Sequence, residues 1–467
     1  MPMDKDISIH LSCQQFECNR FDINEARSVL LFRSNRRSDE VVCPFCGGRV
    51  HVYDSACTTL KDMPLWFGVP LELEVEHHRY RCTRCGGSFS EDVCMRYPGT
   101  RITYRAARWV QELLRWHLPI SAVHEITGFH WDTIRRIHES AMHEALDWRR
   151  KKLRDKDYRP RYLAVDEFAL HKGHRYATCV MDLVEGDVLW VGRGRSKADL
   201  SRFFEEFDLS YLSEVEAVAM DMNASYNVIV RRHLPNAEIV YDRYHMQAQF
   251  GRDVLGAVRL DEARMHKAKA DALKAAAACA SSSDDRKALN STARLEAESY
   301  RRLKGARWVL LSNGRSLSSE KTESLNAILD GHSDLALCHA MKEEMSRLFE
   351  LRDPDEALRG WTQWFEGAKA SGIPALERFA RLKEKRLDGL VAHARHNIST
   401  GRLEGFNNKV KVAKRVGYGY RNEDYFFILA RYLSTPSVRD ASLGKREEPI
   451  FYLLLPVLRL CRISSAR

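Results

Sequence analysis

The chain has 467 residues, roughly three times a typical domain of ~150 residues, so it can bury several cores. Its 44% hydrophobic and 30% charged composition excludes a disordered or fibrous protein. Lys and Arg number 74 against 64 Asp and Glu, and the resulting +10 makes a polyanion the leading partner.

The opening Met-Pro-Met-Asp-Lys-Asp lacks the apolar stretch of an export signal. The longest apolar run, Ile450 to Leu458, falls short of the ~20 residues of a membrane helix, so a cytoplasmic protein is expected. Residues 1–40 are polar and weakly patterned and read as a short docking arm. Eight of the 12 cysteines then fall before residue 95, and four of them form matched pairs, Cys43-Pro-Phe-Cys46-Gly-Gly and Cys82-Thr-Arg-Cys85-Gly-Gly. Without an export signal, doubled CxxC pairs read as metal ligands rather than disulfides. Four thiolates close a tetrahedron around Zn²⁺, and the glycine after each second Cys supplies the left-handed backbone of a tight knuckle. Cys57, Cys94, His77 and His78 are the alternative ligands. Leu71 to Glu76 alternates as a strand between the pairs.

From Thr100 to about Arg154 the spacing turns helical, with Trp109, Leu113, Leu114, Ile134 and Ile137 on apolar faces. Residues 96–160 carry 14 Lys and Arg against 8 Asp and Glu. Ile120 to Thr127, the turn Gly128-Phe-His, and Trp131 to His138 have the layout of a helix-turn-helix whose second helix enters the major groove. Arg135 and Arg136 are its candidate DNA contacts. The competing reading is an ordinary helical hairpin with a solvated basic face.

Residues 161–245 alternate strands and helices. The predicted strands are Leu163 to Val165, Ala177 to Val184, Val188 to Val191, Val215 to Met220 and Ile239 to Tyr241, with Tyr226 to His233 helical. Asp166 and Asp221 each directly follow a predicted strand, where a rigid backbone suits a carboxylate to divalent-ion binding. From Met246 to about His396 the chain reads as helix, with Ser281 to Asp285 as a loop. Beyond it, Glu404 shares a helical face with Asn407 and Asn408 and supplies a third acid. Two Mg²⁺ ions on three carboxylates would serve phosphodiester chemistry. The run Lys409, Lys411, Lys414, Arg415 and Arg421, interleaved with Tyr418 and Tyr420, reads as a phosphate-gripping edge able to stack on an unpaired base.

Several blocks together resemble bacterial insertion-sequence transposases of the ISL-three family. They are Val165-Asp-Glu-Phe-Ala-Leu-His-Lys-Gly-His-Arg-Tyr176, Met220-Asp-Met-Asn-Ala-Ser-Tyr226, Leu234 to His245, and Gly401-Arg-Leu-Glu-Gly-Phe-Asn-Asn-Lys409 with Gly417-Tyr-Gly-Tyr-Arg421. The resemblance spans roughly residues 41–432. It implies an RNase H-like DDE core with Asp166, Asp221 and Glu404 as the Mg²⁺ (or Mn²⁺) triad. It also implies a zinc ribbon and helix-turn-helix that read terminal inverted repeats. Asp242 and His245 match a motif of related DDE families in which a helical insertion precedes the final Glu, and a supporting role is expected of them. Of His171, Lys172, His174 and Arg175, some are expected on DNA.

The expected fold is multidomain α/β: arm 1–40, zinc ribbon 41–95, helix-turn-helix domain 96–158, RNase H-like core 159–245 and 397–432, helical insertion 246–396, and a tail 433–467 of unassigned role. The expected function is a DNA transposase acting on double-stranded inverted repeats and target DNA as a homo-oligomer, nucleoid-associated when bound and without a membrane partner. The rival is a catalytically silent, transposase-derived regulator, which loss of a triad acid would favour; all three acids are present.

Overall fold

The computed structural model describes residues 15–23, 28–64, 69–171, 175–222, 224–312, 317–436 and 438. Lys172, His174 and the tail beyond 438 lie outside them. The chain forms two compact units, one made of the residues up to Arg154 with those from Lys409 on, the other of Asp155–Asn408. Among the described residues no helix is long and apolar enough to cross a membrane.

The first unit opens with five strands, β1 (Phe16–Ile23), β2 (Ser28–Ser34), β3 (Val50–Asp62), β4 (Leu71–Cys82) and β5 (Ser88–Ser90), ordered β1-β2-β4-β3 with β5 also on β4. β3 and β4 form a long antiparallel ribbon, Val50 opposite Cys82 and Asp62 opposite Leu71. Leu71, Leu73 and Val75 are fully buried while Glu72, Glu74 and Glu76 alternate with them toward the wetter face. The stretch read as an arm contributes two strands instead. β2 pairs in parallel with β4 and buries Leu30 and Phe32 in the same core. The uninterrupted apolar run Val29-Leu-Leu-Phe32 hides this alternation in the sequence.

α1 (Tyr104–Arg115), α2 (Ile120–Thr127) and α3 (Trp131–Arg154) follow, and Ala106, Val110, Leu114, Val123, Ile134 and Ile137 close a small core between them. Gly128 ends α2 in the left-handed conformation. Thr103 caps α1 by accepting the Ala106 N–H, and its hydroxyl donates to buried Asp62 at 2.7 Å. Arg105 donates to both Asp62 oxygens at 2.7–3.1 Å. The buried charge is thereby paired and fully hydrogen-bonded, and it fastens the ribbon's end to α1.

The second unit is built on β6 (Tyr162–His171), β7 (Arg175–Asp182), β8 (Val188–Arg193), β9 (Ala217–Met220) and β10 (Glu238–Tyr241), ordered β10-β9-β6-β7-β8. β6, β7 and β8 form an antiparallel meander, and β9 and β10 extend it in parallel. β6 does not stop at Val165 as predicted: pairing with β7 carries it through Asp166 and on to His171. α4 (Lys197–Glu206) and α5 (Ala224–His233) pack on each other, α4 starting from a Ser196–Asp199 capping box.

A long helical run then begins with α6 (Arg243–Phe250), a π-helical turn Gly251–Leu255, α7 (Gly256–Cys279), α8 (Ser283–Gly305), α9 (Arg307–Leu311) and α10 (Ser319–Leu329). It continues with α11 (Ser333–Leu348), α12 (Pro354–Lys369), α13 (Pro374–Glu384) and α14 (Leu387–His396). The loop predicted at Ser281 to Asp285 is shorter than expected. Ser282 caps α8, placing Asp284 and Asp285 in its first turn, where the helix dipole favours acids. One core runs from Leu163, Val218 and Ile239 of the sheet through Phe250 to Phe349, Trp361 and Phe365. α14 lies directly on β10. A Cβ at Gly389 would stand 2.4 Å from the Tyr241 ring and 2.9 Å from the Ile239 carbonyl, so only glycine permits this approach.

α15 (Gly401–Val416) starts in the second unit, and from Lys409 its residues belong to the first, as does α16 (Glu423–Ser434). α16 packs on α3 through a 2.6 Å bond between His138 Nδ1 and the Tyr425 hydroxyl, and burial pushes His138 down to about 4.

Candidate active site and metal centre

The parallel pairing of three neighbouring strands of the second unit ends in register. Val165 of β6 pairs with Met220 of β9, and Met220 with Tyr241 of β10. The next residue on each is an acid: Asp166, Asp221, Asp242. The parallel pairing therefore sets the three side by side along one sheet end.

Their surroundings differ. Asp166 Oδ2 accepts the Asn407 amide of α15 at 2.8 Å. Burial pushes the Asp166 carboxyl above its ordinary range, against the Glu167 N–H, the His245 charge and the Asn407 amide, which favour the carboxylate. Asp221 is more open, with Oδ1 accepting the Met222 N–H at 2.6 Å and Oδ2 lying 3.8 Å from His245 Nδ1. Asp242 is buried and both of its oxygens are engaged, Oδ1 by the His245 N–H at 3.2 Å and Oδ2 by the Thr400 N–H at 3.0 Å. It thus caps α6, which carries His245, and ties down the entry to α15, which carries Glu404.

Glu404 is exposed, one turn before the buried Asn407. A latch absent from the sequence reading holds this helix. Arg402 donates to the carbonyls of Leu183, Val184 and Glu185 at 2.5, 2.8 and 3.1 Å. Lys383 was also missed. It bonds Gln249, lies 3.4 Å from Met222 Sδ, and is lowered by burial against the opposing pull of the Asp221 charge. The structure brings Asp166, Asn407, Asp221 and His245 into a linked group. The oxygens of Asp166, Asp221 and Glu404 do not all lie within 4.8 Å of one another. Asp242→Asn leaves one backbone N–H facing an amide, and we expect about 1–3 kcal/mol of lost stability in urea unfolding, with slower DNA cleavage. Wild-type stability and rate in this variant would show that neither tie matters.

In the first unit the four predicted thiols converge. Cys43, Cys46, Cys82 and Cys85 have sulfurs all within 4.8 Å of one another, with Cys43–Cys85 at 3.7 Å and Cys46–Cys82 at 3.5 Å. A tetrahedron with ~2.3 Å zinc–sulfur bonds has edges of about 3.8 Å, so the donor set fits. The two knuckles are built alike. The Cys43 N–H donates to Gly48 and the Gly47 N–H to Cys43, and the Cys82 N–H donates to Gly87 and the Gly86 N–H to Cys82. Gly47 and Gly86 share φ = +69°, where a side chain is strained. Of the alternative ligands, His77 bonds Thr58, His78 bonds Ser55, Cys57 sits opposite Glu76 in the ribbon, and Cys94 is not part of the cluster.

The predicted DNA-contacting cations are also in the first unit. Arg135 bonds Glu139 at 3.0 Å, lies over the Tyr425 ring, and lines a cavity of about 580 Å³. Arg136 is exposed and reaches the Gly99 carbonyl. Lys409 donates to the Leu433 carbonyl, burial lowers Lys414, and Lys411, Arg415 and Arg421 are exposed. Of the two tyrosines, Tyr420 is packed 4.9 Å from the Phe426 ring and is not available to stack on a base. Tyr418 is 95% exposed.

An antiparallel meander extended by two parallel strands, with acids at the parallel strand ends, is the RNase H-like type of fold on which DDE transposases are built. A transposase family model of the ISL3 DDE type matches residues 163–430. The transposase for insertion sequence element IS1001 of Bordetella parapertussis is 33% identical over 393 residues, covering 84% of this chain and 88% of that protein. The transposase for insertion sequence element IS1557 of Mycobacterium tuberculosis is 26% identical over 416 residues, 87% of this chain and 88% of its own. The chain belongs to the ISL3 family of DDE transposases and has the DNA transposase activity of that family.

Proposed function

We propose that Asp166, Asp221 and Glu404 hold divalent ions, Mg²⁺ or Mn²⁺, for cleavage at the ends of an insertion sequence and for strand transfer into target DNA. The reading rests on the in-register placement of Asp166 and Asp221 with the Asn407–Asp166 bond, which turns the Glu404 helix toward the same strand ends. Carboxylate oxygens suit Mg²⁺, which keeps several waters and takes few protein ligands, so the donors need not close a tight cage. Held by these carboxylates, such ions would supply activation of water and then of the freed 3′-OH, and would neutralise charge on the scissile phosphodiester. The protein's own part is positional: Asn407 orients Asp166, Asp242 fixes both His245 and the start of α15, and Arg402 holds that helix to the β7–β8 turn. Asp242 and His245 act in support of the triad.

We further assign the regions as a zinc ribbon (41–95), a helix-turn-helix domain (96–158), and a catalytic core (159–245 and 397–432) split by the helical insertion. Zn²⁺ on the four thiols holds the ribbon, and the first unit reads the terminal inverted repeats as part of a homo-oligomer. Arg135, Arg136, Lys409, Lys411, Lys414, Arg415 and Arg421 grip DNA in this assignment. The test is a binding titration at fixed salt. Arg135→Ala or Arg136→Ala should cost about 1–3 kcal/mol and relax one position if that residue reads a base, or weaken all sequences alike and flatten the salt slope if it holds a phosphate. Unchanged binding in both would remove α3 from the interface.

A further inference from the structure

The helical insertion holds a second group of metal-type side chains, remote in sequence from the cysteine knuckles. His266 of α7 and His332 at the start of α11 face one another with their Nε2 atoms 3.2 Å apart. Each ring is tied down at its other nitrogen, His266 Nδ1 to Glu296 of α8 at 2.5 Å and His332 Nδ1 to the Ile328 carbonyl at 2.7 Å. A carbonyl and an ionised carboxylate only accept, so in the neutral rings both protons sit on Nδ1. Two bare lone pairs are then aimed at each other across hydrogen-bond distance, an arrangement that calls for a cation between them. One turn before His266, the carboxylate of Glu262 leaves Oε2 buried without a hydrogen bond, 3.6 Å from His332 Nε2.

We propose that His266 Nε2, His332 Nε2 and Glu262 Oε2 bind a divalent transition-metal ion of the Zn²⁺ class, stapling α7 and α8 to the start of α11. Tetrahedral ligands on ~2.05 Å bonds stand about 3.3 Å apart, close to the separation of the two rings. Ligating histidines give their second N–H to a carboxylate or a backbone carbonyl, and here one does each. Two imidazoles with a carboxylate favour zinc, cobalt or nickel over magnesium and leave a position for water. The three donors do not all lie within 4.8 Å of one another, so binding a metal requires the Glu262 carboxylate to swing toward His266.

The competing occupant is a proton shared by the two rings, which needs no metal. The full-length chain is equilibrated with Zn²⁺, freed of loose ion, and its zinc counted while X-ray absorption records the ligand atoms. The expected result is a second zinc beyond the one on the thiols, with nitrogen and oxygen neighbours near 2.0 Å beside sulfur near 2.3 Å. His266→Ala should lose the second zinc and the nitrogen signal while keeping the sulfur. Glu296→Gln, which preserves the ring and its surroundings, should weaken that site by about 10- to 100-fold. A wild-type chain with sulfur-bound zinc only would assign the rings a shared proton and overturn the proposal. Equal zinc counts in wild type, His266→Ala and Glu296→Gln would overturn it as well.

Discussion

Glu404→Gln is expected to abolish end cleavage and strand transfer together, by roughly 100- to 1,000-fold at the least, while binding to the element's ends persists. On the proposed assignment both reactions draw on the same ions, whereas end binding belongs to the first unit. The choice of this glutamate rests on α15: Asn407, one turn on, bonds Asp166, and Thr400 and Arg402 fix the helix at its start. Three of the four rival glutamates of the insertion are held in ion pairs. Glu343 pairs with Lys342, Glu344 with Arg347, and Glu377 with Arg381, while Glu323 sits exposed on α10. The assay is cleavage of a labelled element end in Mg²⁺, with Glu323→Gln and Glu377→Gln run beside it. Near-normal cleavage by the Glu404 variant, with loss in one of the others, would move the site to another helix.

Cys82→Ser should release zinc and unfold the knuckle end of the ribbon, taking end recognition with it. Among the described residues the apolar core there is Val41, Cys43, Val50, Tyr80 and Cys82, with Cys46 and Phe89 alongside, too small to hold two knuckles without metal. The Cys82 thiol is pushed down, first by the Cys85 N–H and further by the Arg84 N–H, which favours its thiolate form. Cleavage of pre-nicked DNA by the second unit should survive. Zinc content and limited proteolysis check this, and freshly purified wild-type protein without zinc would sink it.

The cysteine knuckles were legible because their geometry is local: each CxxCGG encodes two of the four converging thiols, the turn and the left-handed glycine within six residues. Asp221 was legible for a similar reason, as the apolar run through Met220 stops at an acid. Asp166 was expected just past a strand end and instead lies within β6. An Asp-Glu pair reads as a strand end, and only pairing with β7 carries the strand on to His171. β1 and β2 were missed because a parallel partner forty residues on leaves no mark in Val29-Leu-Leu-Phe32. The Asp242–Thr400 tie and the Arg402 latch span 158 and more than 200 residues, so neither has a local pattern to read. His266 and His332 are likewise joined only by the fold.

The central claim is that Asp221, beside Asp166, holds the catalytic ion, and metal rescue tests it most directly. Asp221 stands at the open end of β9, where its side chain is 40% exposed, so a cysteine there should not disturb the core. A thiolate binds Mg²⁺ poorly and softer Mn²⁺ better. Asp221→Cys should therefore fail to cleave an element end in Mg²⁺ and recover substantially in Mn²⁺, with end binding unchanged throughout. Full cleavage in Mg²⁺, or the same loss in both metals, would contradict a metal-holding Asp221.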